Sequence, residues 1–320
     1  MFLSLRLRIS LHRCGGNGAV QFFARQELLE AEKIMNALAE KVYVVTGANS
    51  GIGFNAAQRF AEQGAEVVLV CRSPDKGRAA QARIIASAGH DRVRLEIADF
   101  SSMQSVSALA DRLAEQYSEI HVLCNNAGGA NASRQLTAEG FELTFAVNHL
   151  SGFLLTRKLM PSLLACQSGP ARVVFTSSLG HRNSPLDFDD LELERNYSTL
   201  KAYGRSKLMN LLTARELHKR HGHSDLIASS FHPGAVRTPI WSKGGVLARL
   251  LGLLMYPFMW PVEKGADTFI WLASSDDEAV LGAAGSYFFD RRKRRTAEFA
   301  TDDAAAKLWS VSDELIAPYL

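Results

Sequence analysis

The chain has 320 residues, 47% hydrophobic and 22% charged, which is ample apolar surface for a core and an ordinary soluble balance. Its net charge of +3 is too small to argue for nucleic acid, and no basic stripe interleaved with aromatics appears, so no nucleic-acid partner is expected. Cys14, Cys71, Cys124 and Cys166 lie far apart without metal-ligand or redox spacing, so no metal is expected and a reducing, cytoplasmic compartment fits.

Residues 1–38 stand apart as an N-terminal extension. The stretch before Glu27 carries four arginines and no acid, a composition resembling an organelle transit peptide. The plainer readings are an unstructured extension, or a start assigned too early with Met35 as first residue. The plainer readings are preferred, because nothing else points to an organelle. From residue 41 apolar runs alternate with helical patterns. Strands are expected at 41–46, 66–71, 92–98, 120–125, 172–177, 226–232 and 286–289. Between them fall helices at 51–63, 74–88, 103–117, about 138–166, and 200–221, with a closing helix at 302–317. Strands apolar on both faces and separated by helices mean a parallel sheet covered on both sides. The pattern predicts one doubly wound, Rossmann-type α/β domain over 39–320 with a mainly parallel seven-stranded sheet.

The first strand opens into Gly47-Ala48-Asn49-Ser50-Gly51-Ile52-Gly53. Glycine there lets the chain turn sharply and lets a pyrophosphate approach the backbone, beside the free N–H groups of a helix start. The spacing is G-x-x-x-G-x-G, not the standard dinucleotide fingerprint, but its place directly after a buried strand points to a nucleotide. At the tip of the second strand stands Arg72, where a carboxylate would select NAD. A guanidinium suits a 2′-phosphate, so NADP(H) is expected.

Tyr203 and Lys207 lie one helical turn apart on the same face, downstream of the pair Ser177-Ser178. A phenol is too weak an acid at neutral pH, and a neighbouring cation lowers its pKa. Tyr203 then serves as general acid for carbonyl reduction or general base for alcohol oxidation. A serine hydroxyl can hold the substrate oxygen as charge builds on it. A Ser/His/Asp hydrolase is the rival chemistry, since His149, His181 and His232 lie near these motifs. No G-x-S-x-G elbow surrounds any serine, and His149 and His232 read as structural.

TGANSGIG at 46–53, NNAG at 125–128, the Ser-Tyr-Lys series and HPG at 232–234 together resemble the short-chain dehydrogenase/reductase family, over about residues 40–320. The resemblance places the catalytic serine second in its pair, at Ser178, and adds Asn148 as a holder of a proton-relay water. It gives Lys207 a second task at the nicotinamide ribose. It implies that Asp99, with Phe100 beside it, lines the adenine pocket. Asn126, Ala127 and Gly128 would pass beneath the adenine ribose, and Pro233, Gly234 and Thr238 would line the nicotinamide side. Relatives are often dimers or tetramers, so a homo-oligomer is implied.

The most apolar stretch, 245–262, is too short and too interrupted by Pro257 and Pro261 to span a membrane. Two readings stand: a lipophilic substrate lid that also touches a membrane face, or a helix buried in a core or dimer contact. The segments DFDDLELERNYS, NHLSGFLLT and GSYFFDRRKR resemble the retinol dehydrogenase branch of the family. That branch implies reduction of retinal and other hydrophobic aldehydes with NADPH. Light-dependent protochlorophyllide reductases share much of the pattern, so a tetrapyrrole reductase is an alternative. A non-catalytic NADPH-sensing protein is another. Residues 291–295, RRKRR, read as a solvated loop after the last strand.

Overall fold

The computed structural model describes residues 36–222, 226–236 and 259–320. Seven parallel strands form where the apolar runs lie: β1 Val42–Thr46, β2 Glu66–Cys71, β3 Val93–Ile97, β4 Val122–Asn125, β5 Ala171–Thr176, β6 Leu226–Phe231 and β7 Tyr287–Phe289. An eighth, β8 Arg292–Arg294, pairs antiparallel with β7. The order across the sheet is β3-β2-β1-β4-β5-β6-β7-β8.

The eighth strand corrects the loop expected at 291–295. Asp290 and Arg291 take left-handed φ values of 53° and 55°. Two such residues in succession make the tight turn whose twist suits a hairpin. The chain therefore folds straight back onto β7, with Arg292, Lys293 and Arg294 exposed along the outer edge.

Eight α-helices of four residues or more are described, beside a single turn at Leu143–Phe145: α1 Gly51–Glu62, α2 Pro74–Ala88, α3 Met103–Gln116, α4 Ser151–Leu164, α5 Thr199–His221, α6 Val262–Ser274, α7 Glu278–Leu281 and α8 Asp302–Ile316. Several carry their own start signals. The Ser73, Ser102, Ser198 and Thr301 side chains accept from backbone N–H groups at the heads of α2, α3, α5 and α8. The helix expected from about 138 starts only at Leu143, because Gly140 turns at φ 90° and Glu142 caps the new start with both carboxylate oxygens. Helix α6 was not anticipated. Its turn signal, Pro261, sits at the end of an apolar stretch that masks it.

Successive strand residues face opposite layers. Val44, Val68 and Val70 pack with Met103, Leu113, Phe153 and Leu212 of α3, α4 and α5. Tyr43, Val45 and Leu69 pack on the other face with Phe60 of α1, Ile84 of α2 and Phe269 of α6. Each such side chain, fully buried, contributes about 1.5–3 kcal/mol. Helix α8 crosses the outer side of the first layer. Trp309 meets Phe153 edge-on at 4.9 Å, and Ser312 hydrogen-bonds the buried His149 at 2.8 Å. No described helix is long and apolar enough to cross a membrane.

Candidate active site

Strands β1 and β4 are neighbours, yet the helices that follow them leave to opposite faces of the sheet. Their carboxyl ends therefore open a crevice, the place where open α/β sheets bind ligands. The loop after β1 fills one side of it. Gly47 and Gly51 adopt φ of 68° and 59°. A Cβ on Gly53 would lie 2.5 Å from the Gly47 carbonyl oxygen, so α1 starts tight against the turn. Ser50 at the head of α1 makes no side-chain cap, and the first turn bond is Phe54 N–H to Ser50 O at 3.3 Å. The amides of Gly51, Ile52 and Gly53 are thus left as donors at the positive end of the helix dipole. That donor set fits the phosphates of a dinucleotide.

Thr46, which the sequence reading passed over, ties the two sides together. Its hydroxyl donates to Cys124 O at 3.0 Å and accepts from the N–H groups of Asn126 and Ala127 at 2.9 and 3.0 Å. Asn126 also donates to Thr46 O at 2.9 Å. Arg72 stands exposed at the tip of β2, directly before the capped start of α2, where the sequence places the 2′-end of the nucleotide. Asp99 follows β3, and its carboxylate accepts from Ser101 N–H and Oγ at 2.9 and 2.8 Å. Phe100 beside it is buried in the core. Pro233 and Gly234 follow β6, with Gly234 at φ 86° against the Trp260 ring. Thr238 lies outside the described residues, as does the expected lid apart from its end at Met259–Val262.

Ser178, Tyr203 and Lys207 come together at the end of β5. Ser177 is 1% exposed, and its hydroxyl donates to Lys207 O at 2.7 Å. Ser178 instead heads a 3₁₀ turn, Leu179–Asn183, with Oγ accepting from Gly180 N–H at 3.2 Å. Burial pushes the Tyr203 phenol pKa up, and the hydrogen bond with Ser178 pulls it partly back. Lys207 Nζ lies 5.4 Å from the Tyr203 ring centre and donates to Thr176 O at 3.2 Å. It is 3% exposed and has no carboxylate partner among the described residues. Burial lowers its pKa to about 8.

Asn148 lies in a single π-helical turn, Ala146–Leu150, that joins α4. Such turns cluster at functional sites. Its amide is fully engaged: Nδ2 donates to Gly129 O and Ser206 Oγ at 2.8 and 2.9 Å, and Oδ1 accepts from Gly129 N–H at 2.8 Å. It clamps the loop after β4. Gly128 of that loop faces Asn148 Oδ1 and Lys207 Nζ, at 3.0 and 3.2 Å from where its Cβ would be. The wall of the crevice is thus held by bonds between residues far apart in sequence.

Gly204, inside YGRSK, is a further residue with a positional role. A Cβ there would sit 2.7 Å from Gly180 O and 2.0 Å from Ser184 Oγ. Its lack of a side chain lets α5 press Tyr203 against the Ser178 turn. Gly204→Ala is therefore expected to lower turnover about tenfold or more and to destabilise the fold by about 1–3 kcal/mol. Steady-state kinetics and denaturant unfolding of the purified variant check both.

Two other clusters are committed elsewhere. His149 is buried, its pKa driven down to about 3 by desolvation, and serves α8. Glu119, His121 and Cys166 bring ligand atoms within 4.8 Å of one another at the amino end of β4. The His121 Nδ1 already accepts from Val42 N–H at 3.1 Å, which leaves the neutral ring's proton on Nε2. Burial raises the Cys166 thiol to about 11.

The family model described as short chain dehydrogenase matches residues 41–245. Retinol dehydrogenase 12 of Mus musculus is 39% identical over 277 residues, covering 86% of each chain. A solved Mycobacterium paratuberculosis protein superposes with a TM-score of 0.71 at 30% identity, covering 90% of this chain and 97% of that one. The L-sorbose reductase of Gluconobacter frateurii, solved with NADPH and L-sorbose, has a TM-score of 0.63 at 21% identity, a likeness of fold, over 84% of this chain and 99% of its own. With the crevice, the glycine loop and the Ser178–Tyr203–Lys207 grouping in one place, the chain belongs to the short-chain dehydrogenase family, among the oxidoreductases of the alcohol–carbonyl couple and close to its retinol dehydrogenases.

Proposed function

We propose that this protein reduces a hydrophobic aldehyde or ketone to the alcohol with NADPH. The observation that carries this is the convergence of Ser178, Tyr203 and a buried, carboxylate-free Lys207 at the mouth of the β1/β4 crevice. NADPH supplies a hydride when bound. The residues fitted to hold it are Gly47, Asn49, Ser50, Gly51, Ile52 and Gly53 at the phosphates, and Arg72 at the 2′-phosphate. Asp99 and the 126–128 loop line the adenosine side.

The protein's own part is to fix the carbonyl and move one proton. Ser178 Oγ accepts from Gly180 N–H, and its own proton, given to the Tyr203 oxygen in the free site, turns to the substrate oxygen when a carbonyl enters. As negative charge builds on that oxygen, the bond strengthens. Tyr203 then gives up its phenolic proton to the same oxygen, closing the alcohol. Lys207 favours the phenolate left behind, in a site where burial alone would oppose it. Asn148 holds the Gly128–Gly129 loop against Lys207, which keeps the cation in place.

Support for an apolar substrate comes from the retinol dehydrogenase relatives and from the site's rim. Leu179 is 52% exposed beside Ser178, and Trp260 stacks on Phe289 behind Gly234.

The test is NADPH oxidation by the purified protein across a panel of hydrophobic aldehydes and ketones, run in parallel with NADH. Turnover is expected with NADPH, and its absence across the panel would sink the reading. In the same assay Arg72→Gln is expected to weaken NADPH by about 10- to 100-fold, as loss of a charged hydrogen bond does, and to leave NADH unchanged. Equal affinities of wild type for both nucleotides would show that Arg72 does not read the phosphate.

A further inference from the structure

His181 is 0% exposed and takes no part in the steps above. It lies in the 3₁₀ turn that Ser178 begins. Its Nδ1 is 2.6 Å from the Ser178 carbonyl oxygen, and its own backbone N–H reaches that oxygen at 3.2 Å. A carbonyl oxygen only accepts, so Nδ1 carries the ring proton and Nε2 presents a lone pair. Burial holds the ring's pKa below the usual histidine range, which keeps that neutral tautomer.

The far side of the ring is also fixed. It meets Tyr287 edge-on, with centroids 4.8 Å apart and planes at 71°. Tyr287 on β7 is in register with Ser230 on β6, so both side chains face the layer that contains His181. The His181 Nε2, Tyr287 hydroxyl, Ser230 Oγ and His232 Nδ1 are buried with no hydrogen-bond partner among the described residues. Evolution of a purely packed site would favour an apolar side chain here, since each such atom costs about 1–3 kcal/mol. The imidazole's use lies on its other side, at Ser178.

We infer that His181 is a positioning residue for the carbonyl-binding serine. Ser178 is extended, at φ −158° and ψ 158°, with its hydroxyl oxygen held by Gly180 N–H and its carbonyl by His181. Two donors from one residue pin that carbonyl, so the peptide after Ser178 cannot rotate. The direction of the Ser178 hydroxyl follows from this, because Gly180 N–H in the same turn fixes where its lone pair lies. His181 thus acts on the substrate oxygen through Ser178 and never touches it. The inference rests on the reading that Ser178 holds the substrate carbonyl.

Three substitutions separate this role from packing. Asparagine at 181 puts an amide N–H near the place of Nδ1, glutamine puts it near Nε2, and alanine offers neither. All three lose the ring edge against Tyr287, so a packing role lowers stability in each and does not distinguish their kcat. The clamp predicts that His181→Ala and His181→Gln lose about 10- to 100-fold in kcat, with KM and NADPH affinity little changed, while His181→Asn recovers most of the loss. With NADPH deuterated at the transferred hydrogen, the isotope effect should grow in the slow variants, as hydride transfer becomes more fully rate-limiting. Equal losses in the Asn and Gln variants, or full kcat in His181→Ala, would overturn the clamp. Ser178→Ala is measured beside them. Full kcat in that variant overturns the role of the serine; a crippled Ser178→Ala beside an unaffected His181→Ala overturns the clamp alone.

Discussion

Replacing Tyr203 by phenylalanine is expected to cut carbonyl reduction by about 10²–10⁴-fold while NADPH binding stays at the wild-type level. The substitution deletes one oxygen and keeps the ring, so the packing of α5 against the 3₁₀ turn is preserved. What disappears is the phenol oxygen that accepts from Ser178, and with it the proton it carries. The phenol's raised pKa works against proton release in the free protein, and Lys207, 5.4 Å from its ring centre, supplies the compensating charge. Fluorescence titration with NADPH and a turnover assay on one preparation decide the matter. Near wild-type turnover in Tyr203→Phe would mean that the proton comes from elsewhere and that the grouping at the end of β5 has been misread.

Lys207→Met carries the second large effect, and it has two opposite signs. A unit charge 5.4 Å away is worth about 3 kcal/mol at an effective dielectric of 20, so its loss should slow reduction by roughly a hundredfold. Stability should move the other way. Burial takes the lysine from 10.5 to about 8, which corresponds to about 3 kcal/mol of cost for holding the ammonium in the fold. That cost is present in full below pH 8. It fades as pH rises from about 8 through the unfolded value of 10.5, above which both states are neutral, so wild-type stability should climb across that window. Methionine removes the penalty and leaves the Thr176 carbonyl with Asn210 Nδ2, which donates to it at 3.1 Å. The cofactor-free variant should therefore melt about 3–8 °C higher at neutral pH and show a flatter dependence on pH from 8 to 10. A lower melting temperature would show that the lysine is a stabilising group. Wild-type reduction should also fall as pH rises through about 8, because both the lysine charge and the phenol proton belong to the acidic side.

Much of this architecture could be read from residue order. The parallel strands other than β3 are runs of mainly apolar residues buried on both faces, which leaves their pattern unambiguous; β3, at the sheet edge, exposes Arg94 and Ile97. The glycine loop and the Tyr203–Lys207 pair were legible because both are local: a turn needing φ above zero, and two side chains one helical turn apart. What escaped is non-local or depends on conformations that composition does not announce. Strand β8 depends on a left-handed aspartate and arginine, residues with no obligation to adopt that state. Helix α6 was hidden by the apolar run before it. Thr46 and Gly204 matter through partners on other elements, Ala127 for the first and Gly180 for the second, and His181 through a backbone carbonyl three residues back that its ring reaches only because the chain turns there. The engagement of Asn148 with Gly129 could not be foreseen from spacing.

The hairpin that closes the sheet also sets a limit on how this protein meets itself. A terminal strand presents unpaired amides and carbonyls that invite another strand, and growth by that route has no natural end. Here the invitation is made by Arg292, Lys293 and Arg294, all exposed and flanked by Arg291 and Arg295. A second copy pairing β8 to β8 would set cations opposite cations at cross-strand distances of about 5 Å, where like charges repel. The two-residue turn at Asp290-Arg291 therefore does more than add a strand: it trades a neutral, sticky border at β7 for one that identical molecules avoid.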